Sequence, residues 1–424
     1  MMQLIRGFKD ILPDEIHLWQ HIELTARKLF ENFGFTEIRP PLLEKTDLFK
    51  RSIGEDTDIV EKEMYTFADR KGDSVTLRPE ATASVVRSYI QHKMYAQDPV
   101  RKLYTIGPMF RRERPQKGRY RQFYQINAEV FGIESPLIDA QLIFMLVKLF
   151  ENLSVSDMAT HINSLGCPEC RPGFKKALTE YLLPKKESLC ENCKNRIDRN
   201  PLRVLDCKVP SCREALEAPP EITSYLCREC SLHFDKVQTV LSDHGVSYKV
   251  DKQLVRGLDY YTRTTFEIQT TSLGAQSAIA GGGRYDGLVE ALGGPPQPAI
   301  GFAIGFDRLV EISTLKSEDI ATKGIAKRPD VFLVPLGDEC TAMAGKWAGE
   351  LSLAGIRTEI DFSGRSLKSL MKRADRLNAR HVLIVGENEL NQEAAVLRNM
   401  KTREQTEIPF DSLVESIKKQ IQHQ

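Results

Sequence analysis

The sequence predicts an α+β core interrupted by a cysteine-rich insertion and followed by a separate α/β domain. Three observations carry that prediction. Residues 104–132, YTIGPMFRRERPQKGRYRQFYQINAEVFG, read as two alternating strands joined by a basic loop. Eight of the nine cysteines fall between Ser164 and Phe234. Beyond Arg328, strand-like and helix-like segments alternate as βαβαβ units do.

In chain order, Ile16, Trp19, Ile22, Ala26, Leu29 and Phe30 recur at helical spacing and predict an amphipathic helix from Asp14 to Phe33, with Gly34 as its C-cap. FTEIRPPLLE then reads as a strand broken by Pro40-Pro41, which places it at an edge or an interface. A hairpin follows from Glu63 to Leu77, and the chain passes through Arg78-Pro79-Glu80-Ala81-Thr82 into a helix that reaches about His92. Glu80 by itself reads first as a carboxylate capping that helix.

The basic loop holds Arg111, Arg112, Arg114, Lys117, Arg119 and Arg121, six cations in eleven residues, opposed only by Glu113. Such runs are usually solvated turns. Here Phe110, Phe123, Tyr124, Ile126, Val130 and Phe131 bracket the loop with β-formers, so the arginines nearest the strands are expected to be partly buried and able to clamp polyphosphate through paired hydrogen bonds. The 424 residues carry a net charge of only +1, which leaves any polyanion contact local. The N-terminal stretch lacks the apolar core of an export signal, and no run approaches the roughly 18 apolar residues that span a bilayer. These features predict a cytoplasmic protein without membrane partners.

A second long apolar-striped helix is predicted from Ile138 to Leu153, ahead of the cysteine-rich segment. Its cysteines form four close pairs, Cys167/Cys170, Cys190/Cys193, Cys207/Cys212 and Cys227/Cys230. A spacer of about two to four residues lets two thiolates face one tetrahedral zinc, so the eight supply two closed sites or one site with spare thiols. Buried unmetallated thiols or redox chemistry are the plainer alternative. Sequence order favours Cys167, Cys170, Cys190 and Cys193 as one set and Cys207, Cys212, Cys227 and Cys230 as the other, with interleaved pairing also open.

An amphipathic segment at Asp235–His244 leads into YKVDKQLVRGLDYYTRTTFEIQT, read as strand, turn and strand with Arg256 in the turn. SAIAGGGRYDGLVEALGG follows. Gly281 to Gly283 permit close backbone approach, and Arg284 and Tyr285 are expected to stand exposed at a cleft edge. No complete dinucleotide or P-loop fingerprint is present. PAIGFAIGFDRLVEIS reads as a glycine-punctuated strand entering a helix, with Arg308 in its first turns. Residues 314–328 are polar and read as a linker. In the C-terminal domain the helix from Arg365 to Leu377 brings Arg365, Lys368, Lys372, Arg373 and Arg376 close to one face, with only Asp375 opposing them. A solvated face or a phosphate-backbone site would both look like this.

Taken together these stretches resemble the histidyl-tRNA synthetase family of class II aminoacyl-tRNA synthetases, across essentially the whole chain. GFTEIRPPLLE resembles motif 1, FRRERPQKGRYRQF with the following strand resembles motif 2, and AIGFAIGFDRLV resembles motif 3. The histidine-specific signatures match at Leu254–Tyr261 and Ala280–Gly287 without gaps. The resemblance implies an antiparallel sheet flanked by helices as the class II core (1–163 and 235–313), a cysteine-rich insertion (164–234), a linker (314–328) and an anticodon-binding α/β domain (329–424). It further implies a homodimer through the motif 1 region.

The activity it implies is ATP-dependent attachment of L-histidine to tRNA(His) through a histidyl-adenylate. By resemblance, Arg111 holds the α-phosphate and Arg308 the γ-phosphate, Phe123 stacks on adenine beside Glu113, and Arg256 supplies a cation that other class II enzymes take from a metal. Glu80, Thr82 and Gln125 match the positions that bind the α-amino group, Glu129 and Tyr261 those that read imidazole, with Tyr260 and Tyr285 lining the pocket. Arg114, Gln116 and Lys117 are placed toward the tRNA acceptor end. ATP, Mg2+ and insertion Zn2+ complete the expected set. Closed cysteine sites remote in sequence from the arginines imply that metal loss impairs tRNA charging before histidine activation. The alternative is the synthetase-like, histidine-sensing regulatory subunit of ATP phosphoribosyltransferase, which shares the core.

Overall fold

The predicted hairpin is the spine of the N-terminal unit. In this computed structural model, which describes residues 2–55, 57–115, 118–271, 278–315 and 328–422, the chain divides into two compact units, 1–320 and 321–424. The main sheet is built from β1 (Thr36–Glu37), β2 (Arg101–Phe110), β3 (Gln122–Phe131), β4 (Met158–Ser164), β5 (Lys249–Val250), β6 (Thr262–Thr270), β7 (Ala278–Arg284) and β8 (Ala299–Gly305). Their order is β1-β2-β3-β8-β7-β6-β4-β5. All internal pairings are antiparallel; only β1 with β2 and β4 with β5, at the two edges, are parallel. The sheet is therefore mixed, with an antiparallel body. The double proline of the FTEIRPPLLE stretch explains the short edge strand β1, since neither ring can donate to a ladder.

Side-chain alternation gives the sheet two different faces. On β3, Ile126, Ala128 and Val130 join one core with Trp19, Ile22 and Phe30 of the helix Pro13–Asn32, Ile143 and Leu146 of the helix Pro136–Asn152, and Val237 and Leu241 of the helix Arg228–Asp243. The odd-numbered residues Phe123, Gln125, Asn127 and Glu129 point the other way. That second face carries the cleft. A three-stranded sheet (Leu43–Lys45, Ser74–Leu77, Tyr65–Ala68) and the helix Thr82–Gln91 adjoin it.

Arg284 departs from the sequence reading. It is fully buried, donating to Asp139 and to the carbonyls of Ile133 and Ser135, and Asp139 also meets His233 Nε2 at 2.8 Å. The glycine run sets it inward rather than at a cleft edge, because β7 is an interior strand and its residues alternate between two covered faces. Tyr285 is buried as well.

The insertion is packed into the core of this unit. Its Phe174, Leu178, Leu182, Leu189, Ile197 and Val204 share one core with Val85, Tyr89, Phe131 and Tyr285 of the sheet and neighbouring helix. In the C-terminal unit β9 (Val331–Pro335) lies parallel between β10 (Thr358–Ile360) and β11 (His381–Val385), as the βαβαβ pattern predicts. Two antiparallel strands not foreseen, β12 (Ala394–Asn399) and β13 (Gln405–Pro409), extend it. Residues 316–327 of the expected linker lie outside the described residues. Among those described, no helix is long and apolar enough to cross a membrane.

Candidate active site

The cleft over the second sheet face is lined by acidic, basic and aromatic side chains. Four arginines line it, and three of them, Arg111, Arg256 and Arg308, come from separate parts of the chain. Arg111 leaves the end of β2, where its Nε donates to the carbonyl of Pro79 at 2.8 Å and its guanidinium lies 5.3 Å from the centre of the Phe123 ring. Arg256 comes from the turn before β6 and is ion-paired with Glu267. Gly281 lets it lie close against β7; a Cβ there would stand 2.5 Å from the guanidinium and make it shift. Arg308, in the first turn of the helix Phe306–Leu315, donates to the Ala278 carbonyl at 2.6 Å. Burial lowers the pKa of Arg111 and of Arg308, yet a guanidinium remains charged.

The acidic side of the cleft is built on the start of the helix Thr82–Gln91. Glu80 accepts from the backbone N–H groups of Thr82 (2.7 Å) and Ala83 (2.9 Å), which is the capping role its position suggested, and it also lines the cleft. Burial raises its pKa against those two bonds. Thr82 Oγ1 in turn donates to Glu129 at 2.7 Å, and the Tyr285 hydroxyl donates to the other oxygen of Glu129. Burial raises the pKa of Glu129 to about 8, with both hydroxyl bonds opposing the rise. Gly301, paired across from Glu129, leaves room for this carboxylate; a Cβ there would sit 1.6 Å from its oxygen.

The expected residues therefore converge. Glu80, Thr82, Gln125, Tyr260 and Tyr261 line the cleft with Arg111, Glu113, Phe123, Arg256 and Arg308. Glu129 and Tyr285 lie just beneath its surface, joined to it through Thr82. Arg114 is exposed on the basic loop, while Gln116 and Lys117 lie outside the described residues. Sequence reading missed several lining residues, Arg119 and Asn127 among them. Arg119, counted only as a loop cation, pairs with Glu113 inside the cleft. Asn127 is 1% exposed, and among the described residues neither its Oδ1 nor its Nδ2 finds a hydrogen-bond partner, nor does Gln125 Oε1. Alternation along β3 between Gln125 and Glu129 would have found Asn127. Buried polar atoms left unpaired in a cleft fit a site that awaits a polar ligand.

Apart from the cleft, the eight insertion cysteines gather into two sets, Cys167, Cys170, Cys227 and Cys230, and Cys190, Cys193, Cys207 and Cys212, the sulfurs within each set lying within 4.8 Å of one another. The arrangement is nested, the outer pairs closing around the inner ones, which overturns the pairing by sequence order. The chain leaves the outer site after Cys170, forms the inner site and returns at Cys227. Sulfur separations of 3.6 Å (Cys167 to Cys170) and 3.9 Å (Cys190 to Cys207) fit the roughly 3.8 Å expected of thiolates about 2.3 Å from one tetrahedral zinc.

The family model described as histidyl-tRNA synthetase matches residues 7–168 and 202–309, and one described as an anticodon binding domain matches 330–420. This chain belongs to the histidyl-tRNA synthetase family. The histidine–tRNA ligase of Desulforapulum autotrophicum is 62% identical to it over 98% of this chain and 97% of its own, and that of Geobacter sulfurreducens 53% over 97% and 98%. Among solved structures, apo histidyl-tRNA synthetase from S. aureus aligns at 37% identity with a TM-score of 0.83, covering 99% of this chain and all of that one. A histidyl-tRNA synthetase from Nostoc shares the fold at 23% identity and a TM-score of 0.68. The synthetase model passes over residues 169–201, which contain Cys170, Cys190 and Cys193.

Proposed function

We propose that this histidyl-tRNA synthetase family member activates L-histidine with ATP and transfers it to tRNA(His), releasing AMP and pyrophosphate. The single observation that carries the reading is the convergence of Arg111, Arg256 and Arg308 on one cleft opposite the Glu80–Thr82–Glu129 network. In the first step the histidine carboxylate attacks the α-phosphorus. Negative charge grows there and on the departing pyrophosphate, where fixed guanidinium groups stabilise it without reorganising. Arg111 and Arg256 serve the α-phosphate and Arg308 the γ-phosphate. Phe123 stacks on adenine with Glu113 beside it, and ATP enters as its magnesium complex.

Glu80, Thr82 and Gln125 bind the α-ammonium of histidine. Glu129 and Tyr261 read the imidazole, with Tyr260 and Tyr285 enclosing it. A buried polar set of this kind rejects side chains that leave it unpaired. In the second step the terminal ribose hydroxyl of tRNA attacks the adenylate, with Arg114, Gln116 and Lys117 at the acceptor end and residues 329–424 on the anticodon. The enzyme works in the cytoplasm as a homodimer. The unpaired edge at β1 and the exposed Leu42 and Leu43 support an interface there. The two cysteine sets hold structural zinc, which would supply fold-stabilising crosslinks and no step of the reaction.

The regulatory-subunit reading is disfavoured by the near full-length likeness to curated ligases and by the matched anticodon-type domain. The test is exchange of labelled pyrophosphate into ATP across the amino acids. Strong exchange with histidine alone is expected. No exchange, or equal exchange with another amino acid, removes the synthetase assignment.

A further inference from the structure

The loop Arg256–Tyr261, which delivers a cleft cation and two cleft tyrosines, is held from outside the catalytic sheet. Arg203 stands on the turn Pro201–Val204, between Cys193 and Cys207 of the inner cysteine set, and is 8% exposed. Its Nη1 donates to the backbone carbonyl of Arg256 at 3.1 Å, its Nε donates to Asp259 Oδ1 at 3.0 Å, and its Nη2 lies 2.8 Å from the same oxygen. Asn200 Nδ2 donates to that oxygen too, at 3.0 Å. At the far end of the loop, Arg171, next to Cys170 of the outer set, donates to the carbonyl of Tyr261. Both ends of the loop are thus tied to residues adjoining cysteine sets.

We propose that Arg203 is a positioning residue for histidine activation, and that the metal-clamped insertion is the element that fixes it. The proposal rests on the synthetase and zinc readings above. It reverses the order of failure expected from sequence, in which metal loss would impair tRNA charging before activation, because three-dimensional contact joins what sequence separation did not. The physical reason is leverage on the loop backbone. Arg256 Cα is fixed by the hydrogen bond to its own carbonyl, and Asp259 is fixed on its other side by its N–H to the Ile53 carbonyl (3.2 Å) beside Gly54, where a Cβ would stand 2.5 Å from the Asp259 carboxylate. Displacing a catalytic cation by about 1 Å costs on the order of a hundredfold in rate.

The test uses full-length enzyme carrying Arg203→Met, which keeps the apolar stem and removes the donors, with Asp259→Asn as a second, milder variant. Histidine-dependent pyrophosphate exchange should lose at least about tenfold in kcat while the KM for ATP moves by less than about twofold. Amide hydrogen exchange across 254–261 should quicken, and metal content should remain that of the parent. The double variant should lose little more than Arg203→Met alone, since both act through one contact. Wild-type kcat in both single variants, with unchanged exchange of the loop amides, overturns the proposal. So does wild-type activation by protein stripped of metal and shown by elemental analysis to be empty. A parent enzyme without histidine-dependent exchange would instead refute the synthetase reading, and a parent purified without metal the zinc reading, so the failures are separable.

Discussion

Glu129 is the residue at which burial and function conflict. Its carboxylate is 1% exposed and its folded pKa rises to about 8. A raised carboxylate pKa means that the folded state prefers the proton. Stability from this group is therefore complete below the ordinary carboxylate value and is lost as pH climbs through about 8. Glu129→Gln, a neutral isostere, should stabilise the ligand-free protein at pH 8 by on the order of a few kcal/mol while the two melt alike near pH 4. The same variant should abolish discrimination for histidine. Thermal melts across pH check the first claim, and a parallel pH dependence in both proteins would refute it. Arg256→Ala should lower adenylation turnover by at least about a hundredfold with a smaller effect on ATP affinity, because the charge it meets grows in the transition state. Adding Glu267→Gln should not restore the rate; restoration would mean that the stranded carboxylate, and not the missing cation, caused the loss. At this scale the sequence was legible wherever chemistry and period agreed, as at Gln125 and Glu129. It misled at Arg284, where nothing local distinguishes an exposed arginine from one buried against Asp139, 145 residues away.

Elements were legible by period, and their partners were not. The helix Leu367–Arg376 was anticipated with its basic residues, yet Arg373 is ion-paired with Glu359 at 2.7 Å and with buried Asp361, so Asp375 is not the only opposing acid. The exposed stripe that remains is Lys368, Lys372 and Arg376 at successive four-residue steps. Reversing Lys372 and Arg376 together should raise the KM for tRNA on the order of tenfold at low salt, with the difference shrinking as salt rises. Arg373→Ala should instead destabilise the C-terminal unit by on the order of 1 kcal/mol without a salt-dependent tRNA effect. Unchanged tRNA kinetics in the double reversal would leave the stripe as a solvated face. The cysteines teach the same lesson: spacing identified four pairs, while nesting depends on a chain reversal that spacing does not encode. Strand β12, AAVLRN, escaped notice because its four consecutive apolar residues show no alternation, and β13, QTEIP, because it is short and mostly polar.

At the scale of the whole molecule, the division into two units is an energetic fact as well as a geometric one. Each buried hydrophobic cluster lies wholly within one unit: Trp19, Phe266 and Phe302 belong to one such core, Val331, Trp347 and Leu383 to another. Every cleft-lining residue lies before residue 309. A chain ended at Arg328 keeps all of the apolar burial that supports the cleft, and it loses the exposed cationic stripe together with its sheet. In the proposed reaction activation needs only the small substrates, whereas charging needs a polynucleotide held at two places, where the second contact acts through effective concentration. The truncated enzyme should therefore exchange pyrophosphate within about twofold of the full chain. Its kcat/KM for tRNA charging should fall by on the order of a hundredfold, mainly through KM. Side-by-side exchange and charging assays on the two proteins decide the matter. If exchange fell as far as charging, the cleft would depend on the C-terminal unit, and the independence inferred from their separate cores would be wrong.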